Sequence, residues 1–459
     1  MHDPRTGELL VIDHSDATPD VRFTYNHAGR VLNVHDAAGS RIFTYTTEGQ
    51  VQSEILTGQS EAVLRYAYST RGFAGRLTDF SLGPTGTTNI FHSVSYEYDG
   101  VGRCNRLRWN EGPIAWTWFF TPGGNVVQQW LNDRRQWTSY EYEPHRDLCT
   151  KVWNLAGTNT VSQYDYAYDA LGRATQRVDH IAASVITNTF AFSPRGELLE
   201  SFAGSNAFRY AYDLSGNLVR MVSDTGGEVL ITVNGRGQCT RLTPTSARQP
   251  TRDFFYDARG NLTNDACWVY GWDAENRLAS MTPLKPVKGA LRLAFNYDYQ
   301  ARRIRKGIDI FRKNQWASLR EHLFVYDGRN IVREEIIRHD GKTAQRSAVF
   351  YIWAPNGIAC QGAATLLCSI QPDATLLYCH DGQDNVSQLV DADSGAVVGH
   401  YSYGPLGETL EMEGKAAEAN PFRFRTLYTD TETGLLCDGS RYYSPTLGRW
   451  LGPESDPFD

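Results

Sequence analysis

Carboxylate side chains are concentrated near the C-terminal end of the sequence, in residues 421–459. Asp430 lies in a predicted turn, and Glu454 and Asp456 follow a strand-like segment downstream of it. If one hairpin brings two of these carboxylates together, they can share a proton and act as an acid and a base. The alternative is that they are solvated turn residues, with Asp430 capping the turn from Thr431 to Gly434 and Arg441 pairing with a neighbouring acid. Which of these two interpretations applies depends on the strands and turns that the rest of the chain provides to position this stretch.

The composition favours strands over helices. The 459 residues include 25 Tyr and 41 Gly, and 12% are aromatic, which is typical of half-buried strands separated by glycine turns. The net charge of −7 argues against a nucleic-acid partner held by bulk electrostatics. The compact basic cluster at residues 302–306, Arg-Arg-Ile-Arg-Lys, is interpreted as the solvent-facing side of a strand. We therefore expect no nucleic acid among the partners.

Targeting, membrane and metal signals are not recognisable in the sequence. The start, MHDPRTGELLVIDHSD, has no charged segment followed by an apolar one, so no Sec-type signal peptide is predicted. The longest weakly apolar run, Ile358 to Ile370, is too short to span a bilayer, and we expect no membrane insertion by this chain. The eight cysteines are scattered, which predicts buried thiols in a protein made in a reducing cytoplasm. No metal-ligand spacing is present, and no cofactor is predicted.

One short unit recurs along most of the chain. It consists of an aromatic-x-Tyr strand end, polar residues, a Gly, and then an Arg or polar residue that begins another strand. The spacing, mostly twenty to twenty-five residues, suits one β-hairpin per unit. Examples are Phe23–Arg30, Phe43–Gln50, Tyr96–Arg103, Tyr166–Arg173, Tyr210–Asn217, Phe255–Asn261, Tyr270–Arg277, Tyr297–Arg302 and Phe324–Gly328.

The residue types of the unit match the chemistry of a hairpin. Alternating aromatics share one face of a strand, Asp or Asn accepts turn hydrogen bonds, and Gly supplies a positive φ. The Arg after Gly covers aromatic faces with its stem while its charged group stays in water. Asn276, where Gly is usual, tolerates the left-handed region. Ala301 at the equivalent position does not, so we expect a different turn there.

Four segments carry a family resemblance. YAYDALGRATQRV, YAYDLSGNLVRM and FFYDARGNLTND resemble the tyrosine–aspartate (YD) repeats of the Rhs family, and RYYSPTLGRWL resembles the Rhs repeat-associated core motif. The family includes shell-forming toxin components such as the C subunit of insecticidal toxin complexes. The resemblance implies an all-β fold in which repeated hairpins form one long spiralling antiparallel sheet, a hollow shell or part of one. The implied divisions are a lead-in at 1–20, the repeat array at 21–410, and a core motif at 411–459 that folds inward as a plug.

The resemblance also implies a candidate site. The core motif of Rhs-type proteins is associated with self-cleavage by aspartates. Asp430 lies at the Asp-x-x-Thr-Gly position of that motif, and Arg423 matches a family arginine that would hold a carboxylate ionised. The second family aspartate precedes a Pro shortly after Gly-Arg-Trp; here Asp456-Pro457 occurs two residues late, and Glu454 has the expected spacing. The family's continuation is absent after Asp459, so we expect either a cleavage product or part of a longer protein.

The main functional hypothesis is a shell that sequesters a polypeptide toxin or other unfolded cargo for delivery. The partners implied are the cargo and either a second shell-forming subunit or a delivery-system component. The protein would be made in the bacterial cytoplasm and exported by a dedicated system. Any enzymatic activity would be confined to self-cleavage. The alternative, from the binding class, is a cell-surface adhesion module that uses exposed aromatic rows as carbohydrate platforms.

Overall fold

The computed structural model describes residues 1–132, 135–246, 249–341, 343–355 and 365–452. These residues form three sheets of 22, 14 and 4 strands, in which each strand pairs antiparallel with its neighbour in the sequence. The predicted all-β array of hairpins is confirmed. The array is interrupted once between the two long sheets, at the buried Phe254.

The first sheet contains β1 (Val11–Ile12), β2 (Val21–Tyr25), β3 (Val31–Asp36), β4 (Gly39–Tyr45), β5 (Val51–Gly58), β6 (Ala62–Tyr68), β7 (Leu77–Gly83), β8 (His92–Tyr98), β9 (Cys104–Trp109), β10 (Ala115–Phe120), β11 (Val126–Leu131), β12 (Gln136–Tyr142), β13 (Cys149–Ala156), β14 (Asn159–Tyr168), β15 (Ala174–Ile181), β16 (Ser184–Phe192), β17 (Leu198–Ala203), β18 (Asn206–Tyr212), β19 (Leu218–Ser223), β20 (Gly227–Val233), β21 (Cys239–Pro244) and β22 (Arg252–Asp253). The second contains β23 (Phe255–Tyr256), β24 (Leu262–Asn264), β25 (Trp268–Trp272), β26 (Leu278–Pro283), β27 (Leu291–Tyr297), β28 (Arg303–Arg312), β29 (Gln315–Asp327), β30 (Asn330–His339), β31 (Ala344–Trp353), β32 (Leu366–Ile370), β33 (Thr375–His380), β34 (Val386–Asp391), β35 (Val397–Tyr403) and β36 (Thr409–Glu413). After helix α1 (Lys415–Ala419) and a 3-10 turn (Phe424–Thr426), the third sheet contains β37 (Tyr428–Asp430), β38 (Leu435–Cys437), β39 (Tyr442–Ser444) and β40 (Arg449–Trp450).

The turns of the repeat use one set of hydrogen bonds. At Asp169, one carboxylate oxygen accepts the backbone N–H groups of Leu171 and Arg173, both at 2.9 Å, and the other accepts Arg173 Nε at 2.7 Å. The Arg173 guanidinium also lies 4.9 Å from the Phe192 ring centroid. In this copy the unit is therefore a capped turn whose return-strand Arg neutralises the capping carboxylate, and at Asp213 and Asp257 an Asn donates in place of the Arg. The same bonds occur at Asp99, Asp273 and Asp298.

The turn at Ala301 contradicts the expectation of a different turn. Ala301 has φ 58°, close to the 59° of Asn276, and its N–H donates to Asp298 O at 3.0 Å. An L-residue in the left-handed region costs roughly 1–2 kcal/mol. The expectation is wrong because the Asp298 carboxylate fixes the turn through the backbone N–H of Gln300 and that of Arg302.

The second aromatic of the unit has a role that requires a hydroxyl group. Tyr168 donates its hydroxyl to Cys149 O at 2.6 Å, and Tyr326 donates to Arg303 O at 2.8 Å. Each bond ties a hairpin to a strand of the preceding unit, and each is expected to contribute about 1 kcal/mol. Equivalent bonds are made by Tyr25, Tyr45, Tyr68, Tyr98, Tyr142, Tyr256, Tyr297 and Tyr403.

The second sheet is a middle layer. Alternate residues of β29–β33 belong to two separate hydrophobic clusters. One face, which includes Val325 and Leu377, packs against β5–β14 of the first sheet. The opposite face, which includes Phe324 and Leu376, packs against the third sheet and β18–β21. Because both faces are covered, these strands have apolar residues at consecutive positions, as in LLCSI and TLLYCH.

This layering overturns the interpretation of residues 302–306 as a solvent-facing side. Arg303 and Lys306 on β28 are only 1% and 2% exposed, and Arg302 is also buried. The side chain of Arg303 lies against the third sheet, and Arg302 pairs with the Asp298 carboxylate in its turn. The prediction failed because alternation within one strand does not reveal that a distant segment covers its polar face.

The single helix of the described ranges, α1, has five residues, and no helix there is long and apolar enough to cross a membrane. Five of the cysteines are buried, in agreement with the expectation: Cys149, Cys239, Cys368, Cys379 and Cys437. Cys104 is half-buried and Cys267 is exposed, so the expectation is wrong for Cys267.

Candidate functional site

Asp430 ends β37, and its side chain lies in the interior of the protein. Its backbone carbonyl accepts the N–H groups of Thr433 at 3.0 Å and Gly434 at 2.7 Å, which closes the turn before β38. The turn is therefore held by the Asp430 main chain. The carboxylate is left available for other contacts, and the residue is 0% exposed.

Two cations of β28 hold the Asp430 carboxylate. Arg303 Nη1 lies 2.6 Å from Oδ2, and Lys306 Nζ lies 3.0 Å from Oδ1. Burial alone would raise the pKa of Asp430, but the Arg303 guanidinium and the Lys306 ammonium lower it below its usual value. Asp430 is thus an ionised carboxylate deep in the protein, and breaking such a buried pair is strongly destabilising.

A second carboxylate, Glu432, shares the same lysine. Glu432 Oε2 lies 3.1 Å from Lys306 Nζ, and its Oε1 lies 2.5 Å from Arg320 Nη2. Burial opposes ionisation of Glu432, but Lys306 keeps its pKa below the ordinary value. Asp430 and Glu432 are therefore bridged by an ammonium group, so they do not form a pair of carboxyls that share one proton.

The Arg303 guanidinium is enclosed by aromatic rings. Its centre lies 4.9 Å from the Tyr428 ring centroid and 5.7 Å from that of Tyr442, with Phe295 and Phe324 at 5.5 and 5.4 Å. Arg303 Nη1 also donates to the Tyr442 hydroxyl at 3.1 Å. Cation–π attraction in a dry site adds to the ion pair, so one residue of the array is anchored to two strands of the third sheet.

Glu334 on β30 forms a second buried connection to β37. Its carboxylate accepts hydrogen bonds from His322 Nδ1 and the Tyr428 hydroxyl, both at 2.6 Å, and from the Tyr351 hydroxyl at 2.7 Å. Burial alone would raise the pKa of Glu334, but these three donors lower it to about 2. Burial also lowers the pKa of His322, while the Glu334 carboxylate opposes this shift.

Arg423 lies elsewhere in the core segment. Its Nε donates to Asn420 O at 3.1 Å, and Nη2 donates to the carbonyls of Ala417 and Glu418, both at 3.3 Å. These are terminal carbonyls of α1 that lack a helical partner. Within the described ranges no carboxylate lies within the 4.0 Å ion-pair limit of Arg423. Arg423 therefore fixes the junction between α1 and the third sheet, and the structure does not bring it to Asp430.

The remaining site predictions divide between described and undescribed residues. Glu454 and Asp456 lie outside the described residues. Arg441 lies 3.5 Å from Asp438 at the surface turn before β39. Sequence reasoning missed the partners of Asp430, which are Arg303 and Lys306. One feature of the sequence could have indicated them. The strand β28 contains an unusual number of basic residues, although the strands next to it in the sequence are apolar on both faces.

The arrangement provides an ionised carboxylate held by two cations in a water-poor environment. Such a group can orient a substrate or accept a proton, but it cannot serve as the protonated member of an acid–base pair. No group of three or more His, Cys, Asp or Glu side chains suited to a metal ion occurs in the part of the chain that the structure describes.

Comparisons with known proteins agree with the architecture. The sequence model of the family described as Teneurin YD-shell matches residues 20–262 and 148–459. Double-stranded DNA deaminase toxin A of Burkholderia cenocepacia is 24% identical over 95% of this chain and 28% of its own length. Toxin subunit YenC1 of Yersinia entomophaga is 20% identical over 95% of this chain and 45% of its own length. The chain thus spans less than half of either relative.

Solved structures show the same fold. The TcdB2-TccC3-Cdc42 crystal structure superposes with a TM-score of 0.63 over 97% of this chain and 27% of that one, at 17% identity. The Photorhabdus luminescens Tc holotoxin pore gives a TM-score of 0.59 over 94% of this chain and 26% of that one, at 15% identity. The predicted Rhs/YD-repeat resemblance is confirmed: the chain belongs to the Teneurin YD-shell family.

Proposed function

We propose that this chain forms part of an Rhs-type shell that sequesters a polypeptide toxin, or another unfolded cargo, until delivery. Relatives matched over 95% of the chain are named as toxins or toxin subunits of bacteria. Because the chain spans less than half of those relatives, further wall segments and the cargo would be supplied by other parts of the protein or by partner subunits.

The observation that carries the proposal is the burial of the third sheet within the hairpin array. Asp430, Tyr428 and Tyr442 are each at most 5% exposed, and their polar groups are satisfied by Arg303, Lys306 and Glu334 of the second sheet. A segment held in this way acts as a plug at one end of the array. Polypeptide that follows the plug would begin inside the protein, since Leu451 is buried.

Self-cleavage is the chemical part of the proposal. Asp430 would act in its ionised form as the base that activates water, with its charge fixed by Arg303 and Lys306. The protonated acid would come from Glu454 or Asp456. Arg423 would act indirectly, by holding the segment that leads into β37. No turnover of an external substrate is proposed.

The shell function implies export from a bacterial cell by a dedicated system, together with the cargo. Neither nucleic acid nor a membrane is proposed as a partner of this chain. The cargo would contact inward-facing side chains, and a second shell-forming subunit would extend the array at its terminal strands by backbone pairing.

Protease protection tests the shell function. The natural product, including whatever follows Asp459, is digested with a broad-specificity protease before and after unfolding in denaturant. We expect the downstream polypeptide to resist digestion while the array is folded and to be degraded once it unfolds. The downstream polypeptide expressed alone is the control. Equal digestion of the enclosed and isolated polypeptides would contradict sequestration.

Carbohydrate binding is a second candidate, supported by an aromatic row on the first sheet. Trp130 and Trp137 are direct cross-strand neighbours. Phe119 lies 4.3 Å from Trp130 between ring centroids, and Trp153 lies 6.0 Å from Trp137. On the opposite face of β10, Trp118 is buried. Rows of rings interleaved with amide and hydroxyl groups suit the apolar faces and hydroxyls of sugars.

A glycan array distinguishes this candidate from the shell function. Binding that is lost in Trp130→Ala and retained in Trp118→Phe would favour adhesion. Absence of binding to any glycan by the folded wild-type protein would remove carbohydrate binding from consideration and would leave the shell function untouched.

A further inference from the structure

Asp327 is a repeat aspartate that has lost its normal partners. In the units at Asp99, Asp169 and Asp273, the carboxylate is bonded by the Arg four residues later. Four residues after Asp327 the chain has Ile331. Its turn contains only Gly328 and Arg329, between the paired Asp327 and Asn330. The carboxylate is therefore not used to cap its own turn.

The Asp327 carboxylate has one hydrogen bond among the described residues. Tyr66 on β6 donates its hydroxyl to Oδ1 at 3.0 Å. Within the described chain no Lys, Arg or His nitrogen lies within the 4.0 Å ion-pair limit of this carboxylate. Burial raises the pKa of Asp327 and the Glu54 carboxylate adds to this rise, while the Tyr66 hydroxyl and the Arg302 guanidinium oppose it.

The nearby Arg302 guanidinium is already paired with Asp298 and bonded to the Gly328 carbonyl. A partly buried carboxylate with no ion pair of its own is costly, so its retention at this position points to an external cation.

A cavity of about 550 Å³ lies beside Asp327, between β7–β8 of the first sheet and β29–β31 of the second. Phe80 and Tyr96 contribute aromatic wall surface, and Val332 contributes aliphatic surface. The exposed Arg329 also lines the cavity. His92 also lines the cavity and is 2% exposed. Burial lowers the pKa of His92 to about 4, so the ring is neutral at pH 7 and does not balance the charge of Asp327.

We propose that this cavity binds a small organic ammonium compound, with the ammonium group on Asp327 and the apolar body against Phe80 and Tyr96. The carboxylate supplies a charge-assisted hydrogen bond, and the aromatic walls favour both a cation and an apolar skeleton. The site is independent of the C-terminal carboxylates and of the shell function.

The probe is 2-phenylethylamine, and its neutral analogue 2-phenylethanol is the matched ligand control. We expect calorimetric titration of the folded protein at pH 7 to show binding of the amine about tenfold or more tighter than the alcohol. In Asp327→Asn, amine affinity falls by about tenfold while alcohol affinity is unchanged. Asp257→Asn, which alters a turn-capping repeat aspartate bonded to Asn261, retains amine binding.

Three results would overturn the proposal: equal affinity for amine and alcohol, unchanged amine affinity in Asp327→Asn, or no binding of either compound at millimolar concentration. The comparison of the two ligands on the wild-type protein remains decisive if Asp327→Asn does not fold. Val332→Phe provides a further check, because a larger side chain in the cavity wall should block both ligands.

Discussion

Asp430 and Arg303, which are 127 residues apart in sequence, form an ion pair of 2.6 Å in which neither side chain is more than 1% exposed. The pair joins the third sheet to the middle layer of the array. Lys306 supplies a second cation to the same carboxylate, and four aromatic rings surround the guanidinium. The stability of the third sheet therefore depends on residues more than a hundred positions before it.

Arg303→Met should lower the free energy of unfolding by about 3–5 kcal/mol, because it removes the main partner of a buried carboxylate. Urea denaturation followed by tryptophan fluorescence measures the loss. Arg209→Met is the control: the Arg209–Glu200 pair is largely exposed, and its removal should cost less than about 1 kcal/mol. Similar losses in the two variants would show that the buried pair has no special role.

Ala301→Gly should stabilise the protein by about 1 kcal/mol, since glycine adopts φ 58° without the steric cost that Ala301 bears. Thermal unfolding measures the change. Ala294→Gly, in the middle of β27, is the control and should destabilise by a similar amount through lost strand propensity. A lower melting temperature for Ala301→Gly would mean that the methyl group contributes packing that outweighs the backbone strain.

Asp384→Asn should stabilise the protein above pH 7 and have little effect near pH 4. Burial and the neighbouring Asp381 raise the pKa of Asp384 to about 7, with Arg425 opposing. The pKa of this Asp is higher in the folded protein than in the unfolded chain. Between about pH 4 and pH 7 the side chain therefore ionises more readily in the unfolded chain, and the folded state loses stability as the pH rises. The gain should be on the order of 2–4 kcal/mol at pH 8. Unfolding free energies measured from pH 4 to 8 test this, and a pH-independent difference between the proteins would contradict it.

Asp430→Asn in the chain with its natural downstream sequence should remain uncut if Asp430 is the base in self-cleavage. Mass spectrometry of the purified product detects the cut. Asp438→Asn, in an exposed turn of the same sheet, is the control and should be cut as the wild type is. Circular dichroism at the assay temperature verifies that both variants are folded. Equal cutting of the folded Asp430→Asn variant would remove the catalytic role.

The local part of the structure follows from the sequence, and the long-range part does not. The roles of the repeat Asp and Gly in each turn are encoded within about eight residues, so they are predictable. The hydroxyl bonds of the repeat Tyr residues reach between 14 and 23 residues back along the chain and were not predicted. Ala301 was misjudged because its turn is fixed by the buried carboxylate of Asp298. That carboxylate forms an ion pair with Arg41 of the first sheet, which a local pattern does not reveal. Arg303 and Lys306 were predicted to face solvent because the sequence around them does not indicate that residues 428–442 cover them.

The positions of the candidate site residues show the same limit. The motif at Asp430 is recognisable from the sequence, but its cations belong to a strand more than a hundred residues away. Arg423, seven residues upstream of Asp430, instead bonds the carbonyls of α1. Contacts between segments of different sheets depend on how the array curves, which no local spacing specifies.

The most direct test of the proposed shell is an electron cryo-microscopy map of the intact natural product. We expect a closed wall of hairpins with the third sheet at one end and additional, weakly ordered density enclosed beyond Leu451. Wall density around an interior filled only by the side chains of the array, with the downstream polypeptide outside, would contradict sequestration.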